Sequence, residues 1–164
     1  MFFYYFLLDL PVSLKRELKI RSLKELSQEL DFLTDRKVQT HGVWSFYQIL
    51  NHLKLSLLWA SGEKVAFLPE NSIPRPELGR KLFARMANSG RVPSMVNELS
   101  PKTRQEGDAA QEMKELKKAL KKFQEFSGRR PTHPLFGEFR SEEWELWAAI
   151  HCSHHLGFAG VDTL

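Results

Sequence analysis

At 164 residues, with 42% hydrophobic and 27% charged side chains, the chain is long enough for one domain with a full core, and its balance excludes global disorder. The net charge of +4 is mild. Its cations include Arg75, Arg80, Lys81, Arg85, Arg91 and the run Lys114 to Lys122, which alternates with apolar residues at helical spacing, reads as a solvated helix face and comes with no base-reading motif, so no nucleic-acid partner is expected.

Met1 to Leu10 reads MFFYYFLLDL, apolar apart from Asp9. No positive charge precedes it and no small-residue cleavage site follows, so it makes a poor signal peptide. It is about half the length that a bilayer span needs. Residues 1–13 therefore read as an apolar extension ahead of a domain at 14–164, and no membrane partner is expected. The single Cys152 cannot form an internal disulfide, which fits a reducing, cytoplasmic setting. As a side chain it reads as a small buried hydrophobe or as a nucleophile, the first having the greater weight.

Leu14 to Leu33 carries a helical pattern, with Leu23, Leu26, Leu30 and Leu33 at spacings of three and four and Ser22 as an N-cap candidate. Trp44 to Trp59 reads as a second helix with the face Phe46, Ile49, Leu50, Leu53 and Leu57, ended by Ser61-Gly62. After a Pro-rich loop, Leu78 to Ala87 reads as a short helix opened by Pro76. Asp108 opens a third long helix, with Gln111 completing a capping box and Met113, Leu116, Leu120 and Phe123 as its buried stripe. Ser127-Gly128 closes it, and Pro131 and Pro134 forbid continuation. Ser141 is the N-cap expected for a fourth long helix, with Glu142 and Glu143 in its first turn and Trp144, Trp147, Ala148, His151, His155 and Phe158 on one stripe. With almost no period-two alternation, the chain is expected to be all-α, a four-helix bundle.

Three of the six histidines fall in HCSHH, residues 151–155. His151 and His155 are four apart and project from one helix face, a spacing at which two imidazoles chelate one divalent cation. The competing reading is a pair hydrogen-bonded at the rim of the core. A third ligand is required. His52 lies on the shoulder of the second helix's apolar face. His41 and His133 sit in loop-like sequence, and His154 is turned about 100° from His155.

The segments WSFYQILNHLKLSL (44–57), HPLFGEFRSEEW (133–144) and IHCSHHLGFAG (150–160) resemble the DinB-like metalloenzyme superfamily, in a bacterial branch of unknown function. The similarity covers about residues 17–160. It implies a DinB-like four-helix bundle with a metal at one end of its core, held by a histidine of the second helix and the HxxxH pair of the last. Carried over by position, these are His52, His151 and His155. The implied metal is divalent, zinc or nickel. Relatives include thiol-dependent S-transferases and isomerases, so the implied partners are a small-molecule substrate and a low-molecular-weight thiol, with a homodimer left open. Many relatives continue the histidine pair with Arg-Gly-Gln, where this chain has Leu156-Gly157-Phe158.

Three imidazoles leave a coordination position open, as catalytic sites do. The expected reaction is thiol transfer, then metal-assisted hydrolysis. No general base is named: Glu138, Glu142 and Glu143 are better explained by a helix N-terminus. Trp44, Trp59, Trp144 and Trp147 either wall a pocket or belong to the core. A non-catalytic metal-binding stress or sensor protein, and an interaction module with structural histidines, remain alternatives. Metal affinity is expected to fall below about pH 6.5, the ordinary imidazole value.

Overall fold

A computed structural model describes residues 16–65, 76–92 and 106–161. The apolar extension therefore lies outside the described residues. In chain order the elements are α1 (Leu23–Leu33), β1 (Val38–Thr40), α2 (Phe46–Ala60), α3 (Pro76–Ser89), α4 (Ala109–Glu125), α5 (Ser141–Leu156) and β2 (Ala159–Val161). The described residues are mostly helical, but a two-stranded antiparallel sheet makes them not all-α.

The helix expected from Leu14 starts at Leu23. Ser22 Oγ accepts from Glu25 N, and the Glu25 carboxylate accepts from Ser22 N at 3.0 Å, a capping box that fixes the first turn. The residues before it run along α5 instead. Arg16 N donates to Gly157 O at 2.8 Å and Ile20 N to Ser153 Oγ at 3.2 Å. α1 is thus only 11 residues long, while α3, expected to be short, has 14.

Ser45 and Gln48 form the same box at the start of α2. At α4, Asp108 caps as expected, but the Gln111 amide turns to Glu115 Oε1 at 2.9 Å and completes no box. Helix α5 begins one residue earlier than its expected cap implies. Arg140 is the N-cap, and its backbone N–H donates to Glu143 Oε2 at 2.9 Å.

Helix α2 packs chiefly on α4, and α1 on α5. The leucines of α1 and the stripe Met113, Leu116, Leu120 and Phe123 of α4 are buried together with Ile49, Leu50, Leu53 and Leu57. Each such side chain contributes roughly 1.5–3 kcal/mol of transfer free energy. Helix α5 is buried on several sides, through Trp144, Trp147, Ala148, Ala149, Ile150, Cys152 and Leu156, as a helix inside a core must be. Helix α3 closes on the loop before α5. A Cβ on Gly79 would lie 2.2 Å from Leu135 O, so only glycine lets these backbones approach.

In the sheet, Val38 pairs with Val161 and Thr40 with Ala159, and His41 N extends the ladder to Phe158 O at 2.9 Å. The pairing ties the loop entering α2 to the end of α5. Among the described residues no helix is long and apolar enough to cross a membrane.

Candidate metal centre

Helix α2 supplies His52 from its middle, and α5 supplies His151 and His155 from successive turns near its C-terminus. The centre of the α2 apolar face is spent on α4, so its shoulder, where His52 sits, meets α5. One ring nitrogen of each residue lies within 4.8 Å of the others. The ring centroids are 5.1 Å apart for His52 and His151, 4.5 Å for His52 and His155, and 4.9 Å for His151 and His155. Nε2 of His52 and Nε2 of His151 are 3.0 Å apart. Two nitrogens bound to one tetrahedral zinc at about 2.0–2.1 Å are separated by roughly 3.3 Å, so the pair is close to the spacing that a shared metal requires. His151 Nδ1 is buried with no hydrogen-bond partner. Either tautomer leaves that atom unsatisfied, at a cost of about 1–3 kcal/mol.

Burial disfavours imidazolium here. It lowers His52 to about 4, with a smaller contribution from the charge of His154, and drives His151 well below its ordinary 6.5. Both rings are therefore neutral near pH 7, the form that ligates. Among the described residues no carboxylate joins the three histidines.

Two tryptophans wall the cluster. Trp44, in the loop pinned by the sheet, stacks on His155 at 5.2 Å and 15°, and meets His52 edge-on at 5.1 Å. Trp147 lies 5.0 Å from His151. Trp59 and Trp144 pack with His133 and Trp147 instead. The sequence left Trp44 either walling a pocket or in the core; its contact with the histidines depends on a long-range strand pairing.

The other histidines stay outside the cluster. His133 is buried in the loop before α5, where its Nδ1 accepts from Leu135 N and Phe136 N at 3.1 Å each and its ring stacks on Phe136. His41 directly follows β1, and its backbone N–H donates to Phe158 O. His154 is turned off the cluster yet remains in ring contact with His155, at 4.9 Å. Cys152 is buried, and burial pushes its thiol up to about 12, which leaves it unreactive near neutrality. Glu143 is engaged by Arg80 at 2.5 Å, and Glu138 and Glu142 are exposed.

Residues 12–160 match the family described as "Protein of unknown function (DUF1569)". The chain belongs to the DUF1569 family. No curated protein and no solved structure matches it. In this DUF1569 chain the tripeptide after the histidine pair has a clear local role. Leu156 is fully buried, and Phe158 packs edge-on to His154. A Cβ on Gly157 would lie 2.9 Å from Arg16 O, so the glycine admits the N-terminal segment. Arg16 itself donates from Nε to Ala159 O at 2.7 Å.

Proposed function

We propose that this chain is a divalent-metal-binding protein of DinB-like type, its metal held by His52, His151 and His155. The observation that carries this reading is the convergence of three imidazole nitrogens from two helices within 4.8 Å. In the DinB-like description α1, α2, α4 and α5 are the four bundle helices and α3 lies between the second and third of them. The DinB-like resemblance implies zinc or nickel, and imidazole ligands suit both. Three protein ligands leave a position open for an exchangeable ligand. A dication there lowers the pKa of a bound water or thiol, the chemistry of thiol transfer onto an electrophile or, second, of hydrolysis. Burial of His52 and His151 keeps both imidazoles in the ligating form, and the Trp44 and Trp147 rings limit water on two sides of the cluster. We place the protein in the cytoplasm, acting on a small molecule.

A non-catalytic metal-binding protein is the second reading, since His52, His151 and His155 alone would account for a bound metal. Elemental analysis of protein purified without a histidine tag tests the shared premise. About one divalent metal per chain is expected for one three-ligand site. Protein that stays metal-free after incubation with zinc and with nickel leaves the histidines structural. Turnover of a low-molecular-weight thiol with a generic electrophile, dependent on the metal, separates catalysis from storage or sensing.

A further inference from the structure

A cleft of about 320 Å³ lies between residues 16–19, the residues that follow α3 and the C-terminal turns of α5. Arg16, Lys19 and Arg91 line it, with Glu17 as the one carboxylate among its described lining residues, and α5 contributes Ser153 and His154. The cations differ in their freedom. Arg16 is fixed, its Nη2 on Glu29 Oε1 at 2.5 Å and its Nε on Ala159 O. Arg91 reaches Glu17 at 3.4 Å, but the two side chains are 69% and 76% exposed. So exposed a pair yields readily to a competing anion. Lys19 is exposed.

His52, His151 and His155 are not among the described lining residues of the cleft; its link to them is His154, which lines it and whose ring lies 4.9 Å from that of His155. A dication held by three neutral imidazoles with no carboxylate among the described residues would keep its charge uncompensated and would favour an anionic exchangeable ligand. An acid group in the cleft and a reacting end at the histidines therefore suit one molecule.

We propose that the site takes a small acidic substrate, whose carboxylate or phosphate is received by Lys19 and Arg91 while its reacting end faces His52, His151 and His155. The proposal rests on the metal-binding reading. The guanidinium of Arg91 offers a planar fork to either acid, and Lys19 adds a point charge. Arg16 sets the wall and contributes field without leaving its partners.

The test uses the full chain and two separate titrations. Metal-free protein is titrated with inorganic phosphate, then with succinate, at constant ionic strength, following the backbone amide resonances of Gly90 to Val92 and of Ser153 and His154. The comparison is the K19A/R91A double variant, both positions being exposed and its helicity checked by circular dichroism. Saturable shifts with either anion, and a dissociation constant raised at least tenfold in the double variant, support the cleft. Shifts that chloride reproduces, or binding unchanged in the variant, overturn it. Zinc is titrated in phosphate-free buffer against a competing chelator. Zinc bound without phosphate or succinate overturns the cleft alone. An anion bound without zinc overturns the metal centre and, with it, the substrate assignment. Vesicles containing phosphatidic acid form the last arm: cosedimentation lost in K19A/R91A would assign the cations to a lipid headgroup and overturn the small-molecule reading.

Discussion

Nε2 of His52 and Nε2 of His151 face each other at 3.0 Å across the α2–α5 interface, while the other nitrogen of His151 is buried without a partner. Two basic nitrogens at this distance are held either by one proton or by one shared cation. The arrangement makes each ligand separable by substitution. Replacing His52, His151 or His155 by Ala is expected to weaken zinc binding by at least about 100-fold, the upper end of what losing even an outer-shell partner costs. His154→Ala and His41→Ala should stay near wild type, since neither residue joins the cluster. Zinc titrations against a chelator, with helicity monitored, decide it; equal affinity in all five variants would make the histidines structural.

The pH range of binding follows from burial. An ordinary imidazole would surrender its metal to protons below about 6.5, but burial lowers His52 to about 4 and His151 well below 6.5. Protons compete with the metal only below the free protein's own values, so zinc should be retained at about pH 5.5 and lost toward about pH 4. The expectation of loss just below 6.5 is thereby moved downward. Equilibrium dialysis across this range measures it, and a release midpoint near 6.5 would mean that the two rings titrate as if exposed.

Much of the helical layout was legible because leucines at spacings of three and four mark one face whatever the packing partner. The start of α1 was not. Leu14 and Leu18 continue the apolar spacing, but the box at Ser22 and Glu25 stops the helix, and the backbone of Arg16 and Ile20 bonds to α5. The sheet escaped because each strand has three residues, too few to show alternation, and their pairing joins distant parts of the chain. The pair His151 and His155 could be read from one helix. The place of His52 could not be settled from its own helical wheel, since it depends on α4 covering the centre of the α2 face.

His133 belongs to stability. Its Nδ1 accepts two backbone N–H groups, and burial lowers it to about 3. The folded pKa is below the unfolded 6.5, so this contribution is full above 6.5 and is lost as pH falls from there toward 3. His133→Ala leaves two buried donors unpaired and should destabilise the metal-free protein by about 2–4 kcal/mol while zinc affinity is kept. Urea unfolding at neutral and at mildly acid pH tests both points. A wild-type midpoint that does not fall with acid, or a variant as stable as wild type, would refute the structural role.

Cys152 immediately follows a proposed ligand, yet it is turned about 100° from His151 on the helix. Its side chain is 1% exposed, and burial raises the thiol to about 12. Near neutrality the thiolate fraction is therefore negligible, and attack on an electrophile would require α5 to open. Native protein should be unreactive toward an aromatic disulfide reagent at about pH 7.5, becoming reactive only in denaturant. Cys152→Ala should keep zinc affinity within about threefold and lose roughly 1–2 kcal/mol or less, because the change removes only a sulfur from the core. The same variant, assayed for metal-dependent thiol transfer, distinguishes a packing residue from a nucleophile. Complete loss of turnover with zinc and helicity intact would assign the chemistry to Cys152 and take it away from the open side of the three histidines.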